Sequence, residues 1–250
     1  MNMDVVVLAG ARNDGKLKDY TSEKHEALIK IKNRPMIDYV IEAVQNAQKT
    51  DRIIVVGPSK DLVAYNDSDV ILLEAHGSFL DNIRKGLTKT GSGEYVLIVT
   101  SDIPLITSDV IDEFISSCSP KEADIFYPII PREKNNSSFP EIERTYVRLS
   151  EGTYTGGNIV IINSEVFQKA LPILEKIISL RKKPFKLIRL LGIKFIFKYI
   201  IGFLSITDVE ERASEIIGYK GLSKIVEHPE VGFDVDKPSD LQQIRKMMKA

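Results

Sequence analysis

The chain has no tryptophan and a single cysteine, Cys118, in 250 residues. One cysteine excludes an internal disulfide and any zinc site built from a cysteine cluster. Histidine is scarce too: His25, His76 and His228 are scattered and are read as non-catalytic. An excess of one charge is also lacking. The net charge is −1, so no overall positive field points to nucleic-acid binding. No apolar run approaches the ~20 residues that a spanning helix needs. The opening "MNMDVVVLAG" has no basic region ahead of its short apolar run and does not read as a secretory signal. The expected location is therefore cytoplasmic.

What is present is alternation. Asp4 to Ala9, Arg52 to Val56, Val70 to Leu73, Tyr95 to Thr100 and Ile125 to Ile129 are short, β-rich apolar runs that read as buried strands. Pro35 to Ala47, Ser78 to Thr88 and Ser108 to Cys118 carry helical spacing between them. Strand–helix alternation predicts an α/β fold of three layers, a mostly parallel sheet covered on both faces, in one domain spanning 1–250. "PREKNNSSF" (131–139) reads as a loop, "RTYVRL" and "GGNIVIIN" as strands, and Glu165 to Ser179 as a helix. "VGFDVDKPSDLQQIRKMMKA" reads as a short strand, a turn and a closing helix.

One segment departs from this pattern. Residues 181–206, "RKKPFKLIRLLGIKFIFKYIIGFLSI", hold seven Lys or Arg and no acid. At 100° per residue, Lys182, Lys183, Lys186, Arg189, Lys194 and Lys198 share about half the helix circumference. Pro184, Gly192 and Gly202 predict a broken helix or two short ones. The preferred reading is an insert packed on the core with its lysines in water. The other is a face for a membrane interface or a homodimer partner.

In open parallel sheets, ligands bind beyond the carboxyl ends of the strands. "VLIVTSDIPLIT" ends a strand on Asp102, and Pro104 keeps Ile103 extended. Thr107 and Ser108 are better caps for the following helix, which leaves Asp102 free for a hard cation such as Mg²⁺. "GFDVD" puts Asp234 and Asp236 two residues apart, on one face if extended, and able to complete a metal site with Asp102. Asp236 serves equally well as the cap of the last helix. The first strand runs into "VVVLAGARNDGKL", where Gly10 and Gly15 allow close backbone approach and Arg12, Lys16 and Lys18 bring positive charge, a combination suited to a polyphosphate.

"VVLAGAR", "ALIKIKNRPMIDYVIEAV", "TSDIPLI" and "DVDKPSDL" stand in the order found in GT-A-type nucleotidyltransferases. Together they most resemble the MobA-like NTP transferase domain, with a Rossmann-like sheet. The resemblance implies Mg²⁺-assisted transfer of a nucleoside monophosphate from an NTP to a small phosphorylated acceptor, with release of pyrophosphate. It implies metal binding by Asp102, Asp234 and Asp236, and nucleotide binding by Leu8, Ala9, Gly10, Ala11, Arg12, Gly77, Ser78 and Asn82. Lys16 and Lys24 would assist catalysis, and Gly156, Gly157 and Asn158 would meet the acceptor. Three departures stand out. Ala11 replaces the family's second glycine, Gly15 and Lys16 occupy the region of the family's arginine, and Glu26 stands where the family has a lysine, with Lys24 two positions earlier. Ala11 and Glu26 motivate an alternative: a catalytically degenerate protein that binds a nucleotide or nucleotide sugar in a regulatory role.

Overall fold

The structure, a computed structural model, describes residues 2–65, 70–91, 93–180 and 184–248. Its strands are β1 (Met3–Leu8), β2 (Lys30–Ile31), β3 (Arg34–Pro35), β4 (Thr50–Gly57), β5 (Val70–Glu74) and β6 (Tyr95–Thr100). They are followed by β7 (Ile125–Pro131), β8 (Val147–Leu149), β9 (Gly152–Gly156), β10 (Ile159–Asn163) and β11 (Gly221–Ile225). Its helices are α1 (Met36–Asn46), α2 (Phe79–Leu87), α3 (Ser108–Ser117), α4 (Arg132–Ser138) and α5 (Ser164–Leu180). Last come α6 (Pro184–Leu191), α7 (Ile193–Ile200), α8 (Ile206–Ile217) and α9 (Pro238–Met247).

β2 and β3 form a separate small hairpin, and the other strands make a nine-stranded sheet ordered β5-β4-β1-β6-β10-β7-β9-β8, with β11 paired in parallel to β7. Only β9 and β10 run against the rest, so the expected mostly parallel, helix-covered sheet is what forms. β1 lies between β4 and β6, which is why all six of its residues are buried. Val5 and Val7 face the apolar layer under α1 and α3, while Val6 and Leu8 face the layer under α2 and α5. β9 and β10 pair end to end along one edge of β7 as one bent strand, with β11 on the other edge. The register breaks at Gly157 and Asn158, a bulge whose Asn158 carbonyl accepts from Thr100 N at the end of β6.

α2 lies very close to β1. A Cβ at Gly86 would overlap Val6 Cγ1 and stand 3.0 Å from Cγ2. Glycine in a helix ordinarily costs stability relative to alanine. Here the order reverses, because Val6 is β-branched and fully buried in a central strand. Gly86→Ala is expected to destabilise the protein by about 2 kcal/mol through overpacking, measurable as a lower denaturation midpoint at unchanged slope.

Three expectations need correction. Residues 132–138 are helix α4, not loop, because inward-facing Asn135 is 1% exposed and its Nδ2 donates to Tyr146 Oη at 2.8 Å. "GFDVD" belongs to no strand: Gly232 closes a short 3₁₀ turn, and one backbone bond, Val235 N to Asp102 O at 3.0 Å, ties the rest to the end of β6. The basic segment does form two short helices, α6 and α7, joined at Gly192 with φ 91°. It is not packed on the core, however: α7 has no buried residue. Lys182 and Lys183 lie outside the described residues.

Candidate active site

Three backbone contacts fix where β6 delivers its terminal carboxylate. Ser101 N donates to Leu8 O at 3.1 Å, Thr100 N to Asn158 O at 3.2 Å, and Asp102 O accepts from Val235 N. Thr107, as the sequence favours, accepts from Val110 N to cap α3, so Asp102 is not used as a cap. Its carboxylate is enclosed by protein with one edge on a cavity, and the Thr100 hydroxyl donates to it.

Phe233 and Val235 are fully buried among Leu17, Ile29, Met36 and Leu241. The extended chain therefore turns Asp234 and Asp236 to the opposite side. There the two join Asp102: the three offer carboxylate oxygens within 4.8 Å of one another. Asp236 does not cap α9. Asp240 does, accepting from Asp236 N at 3.2 Å and Lys237 N at 3.1 Å.

Crowding of like charge shows in the proton affinities. Burial, with a further push from Asp234, raises Asp102 to about 6. Burial and the charges of Asp234, Asp102 and Asp240 raise Asp236 to about 6. Glu26 goes up to about 7 through burial and the neighbouring Asp102, Asp236 and Asp14. Among the described residues, the cation that forms an ion pair with the trio is Arg144, whose Nη1 donates to Asp234 Oδ1. These oxygens fit a divalent cation. Hard ions take carboxylates at roughly 2.0–2.6 Å, so opposed ligands stand about 4–5 Å apart.

The trio lies between two hollows. The larger, about 710 Å³, is floored by the loop after β1 and reaches Asp102 at one end. Its loop is held by a short antiparallel pairing: Asn13 N to Lys24 O at 2.9 Å, Glu26 N to Ala11 O at 3.1 Å, and a bridge between Arg12 and His25. A Cβ on Gly10 would come within 2.6 Å of Ala75 Cβ, so the close pass of this loop to the chain leaving β5 requires glycine there. Asn82 Oδ1 accepts from His76 N at 2.8 Å, and Gly77 turns with φ 70°. The smaller hollow, about 300 Å³, lies on the side of Asp234 and Asp236 and presents Lys16, Arg144, Lys237 and Thr155.

Of the residues expected to hold a nucleotide, Leu8, Gly10, Ala11, Arg12, Gly77 and Asn82 line the large cavity. Ala9 is buried behind it, and Ser78 is occupied as the N-cap of α2 in a capping box with Asp81. Lys16 lies in the smaller hollow, and Lys24 is exposed and lines neither. Gly156 and Gly157 make room for other protein groups. A Cβ on Gly156 would overlap the Tyr127 hydroxyl, and one on Gly157 would come within 2.6 Å of Val231 Cγ1. Asn158 uses its backbone to hold β6, and it lines neither hollow.

Sequence reasoning missed Arg144, which sits in a strand-like run with nothing local to mark it. It also passed over His25, His76, Glu74 and Asp14, all on the cavity wall. Burial lowers the pKa of His25 from its ordinary value, so that ring is neutral near pH 7.

Comparison with known proteins gives a consistent picture. The model of the MobA-like NTP transferase domain matches residues 5–182. The chain is 31% identical over 134 residues to a "probable molybdenum cofactor guanylyltransferase" of Natranaerobius thermophilus, covering 52% of this chain and 61% of that one. It is 28% identical over 130 residues to a 2-C-methyl-D-erythritol 4-phosphate cytidylyltransferase of Lachnoclostridium phytofermentans, covering 48% and 53%. The chain thus spans about three-fifths or less of the length of these curated relatives. Among solved structures, a hypothetical transferase from Thermus thermophilus superposes with a TM-score of 0.85 at 34% identity, covering 96% of this chain and all of that one.

Proposed function

Since the chain belongs to the MobA-like NTP transferase domain family, we propose that it is a nucleotidyltransferase that moves a nucleoside monophosphate from an NTP onto a phosphate-bearing acceptor, with pyrophosphate leaving and Mg²⁺ required. The observation that carries this reading is the position of the carboxylate trio between two hollows. The large one is roomy and acidic, and the small one sets three cations, Lys16, Arg144 and Lys237, beside Asp234 and Asp236 of the trio and beside Glu143 and Asp240.

In this reading the NTP occupies the large cavity. Leu8, Gly10 and Ala11 lie along its sugar and phosphates, Arg12 meets the phosphates, and Gly77 and Asn82 approach the base. Arg144, Lys16 and Lys237 hold the acceptor phosphate in the small hollow. One acceptor oxygen then faces the α-phosphorus, a bond forms to it, and the bond from that phosphorus to the bridging oxygen of pyrophosphate breaks. The protein contributes mainly alignment, since little covalent chemistry is asked of it. Asp102, Asp234 and Asp236 would hold Mg²⁺, which when bound supplies charge neutralisation for the phosphates.

Arg144 has two partners to choose between. It pairs with Asp234 in the free protein and, when the trio is neutralised, is available to the acceptor. Arg144→Ala is expected to raise the acceptor KM by about tenfold or more while leaving nucleotide affinity within about threefold, because truncating one partner of a charge pair costs 2–5 kcal/mol. Steady-state kinetics with each substrate varied in turn distinguishes the two.

The overall reading is tested by pyrophosphate release across the four NTPs with phosphorylated alcohols and sugars as acceptors. Turnover that disappears in Asp102→Asn supports it. If no combination releases pyrophosphate, the transfer reaction fails. Ala11 and Glu26 favour the second reading, nucleotide binding without transfer. Its mark is an NTP-induced thermal shift that is indifferent to Mg²⁺.

A further inference from the structure

Seven of the fourteen exposed large apolar side chains among the described residues lie between 188 and 203. The extremes are Ile193 at 84% exposure, Ile200 at 74%, Phe203 at 72% and Phe197 at 61%. On α7, Ile193, Phe197 and Ile200 fall within about 60° of one another around the helix, and Lys194 and Lys198 border the stripe. The arrangement is built rather than frayed. Arg212 of α8 donates to the carbonyls of Leu190 (2.5 Å) and Leu191 (2.7 Å), which closes the end of α6. Gly192 then turns the chain, and buried Leu204 ties the far end of α7 to the β8–β9 turn through Ser150 N at 2.8 Å.

We propose that this face docks the protein on an anionic lipid bilayer, with Ile193, Phe197, Ile200 and Phe203 entering the headgroup boundary and the neighbouring cations meeting lipid phosphates. The charge pattern selects that occupant. Residues 184–206 contain Lys186, Arg189, Lys194 and Lys198 and no acid. Lys198 is drawn to Asp208 at 2.5 Å, and among the described residues no ion pair engages the other three. A second copy meeting this face about a two-fold axis would set the same cations against one another. An anionic surface is complementary to both the stripe and its border, as in helices that lie in the interface plane. The face can lie on a bilayer but not cross it: no helix among the described residues is long and apolar enough to span.

The test is co-sedimentation of the full chain with phosphatidylcholine vesicles with and without about 30% phosphatidylglycerol, at low and raised salt. Binding to the anionic vesicles is expected to exceed binding to neutral ones by tenfold or more, since each cation near such a surface is worth about a factor of five. Phe197→Asp with Ile200→Asp is expected to lower it by at least tenfold, and Lys186→Glu with Lys194→Glu likewise, with circular dichroism unchanged. Folded wild-type protein that stays in the supernatant would overturn the proposal. So would binding indifferent to both variants. A dimer in light scattering that Phe197→Asp disperses, without vesicle binding, would give the face to a second copy and overturn it as well.

Discussion

Asp102→Asn is expected to reduce turnover by about a thousandfold while making the metal-free protein more stable at neutral pH. The catalytic half follows from charge. One unit-charge interaction at ~4 Å and an effective dielectric near 20 is worth about 4 kcal/mol, and each ~1.4 kcal/mol is a factor of ten in rate. The stability half follows from the cost of keeping this carboxylate ionised where burial and Asp234 raise it to about 6. The native state keeps that proton after the unfolded chain has lost it. Between pH about 4 and 6 the unfolded state therefore binds fewer protons, and native stability falls as pH rises. Above about 6 the full penalty is in place, about 3 kcal/mol. Asparagine keeps the shape and removes the charge. Its advantage in denaturant midpoint should thus be present at pH 7.5 and vanish near pH 4. Mg²⁺ should reverse the ranking, raising the melting temperature of wild type but not of the variant. Equal metal response in both proteins would remove Asp102 from the metal site.

Divalent metal is expected to tighten NTP binding by at least a hundredfold. Asp14, Glu26, Glu74 and Asp102 line the cavity against one arginine, Arg12. Glu74 stays ionised, because hydrogen bonds from Ser59 lower its pKa. A triphosphate entering without a counter-cation meets these charges. At ~8 Å and an effective dielectric near 20, each opposed pair costs about 2 kcal/mol, so one or two such pairs account for the factor. Titration calorimetry in EDTA and in Mg²⁺ measures it directly. Glu26→Lys, which restores the family's cation, should strengthen metal-free binding by tenfold or more. Lowering the pH through about 7, where Glu26 takes up its proton, should act in the same direction. An NTP affinity equal in EDTA and Mg²⁺ would count against the metal-dependent transfer reading and favour nucleotide binding without transfer.

Asp102, Asp234 and Asp236 could be singled out from sequence because each sits where an extended run meets a turn signal, and alternation tells which way such residues point. That logic placed Asp234 and Asp236 opposite Phe233 and Val235 even though the segment joins no strand. Arg144 offered no comparable signal. It meets Asp234 ninety positions later through tertiary packing, which leaves no local period. The loop reading of 131–139 failed for a related reason: its polar composition hides Asn135, buried against Tyr146. The TGGN glycines are assigned to the acceptor by the family resemblance alone. What approaches them is Tyr127 and Val231.

The tie between Val235 N and Asp102 O has a consequence for how the protein comes into being. Asp234 leaves the ribosome more than a hundred residues after Asp102, when the central strands β1, β4 and β6 have long been synthesised. The sheet can therefore form around an unfinished centre, and the reactive geometry is closed only when the late chain is laid across the early one. A cation gripping both would act as a clasp between an early-made strand end and a segment made more than a hundred residues later.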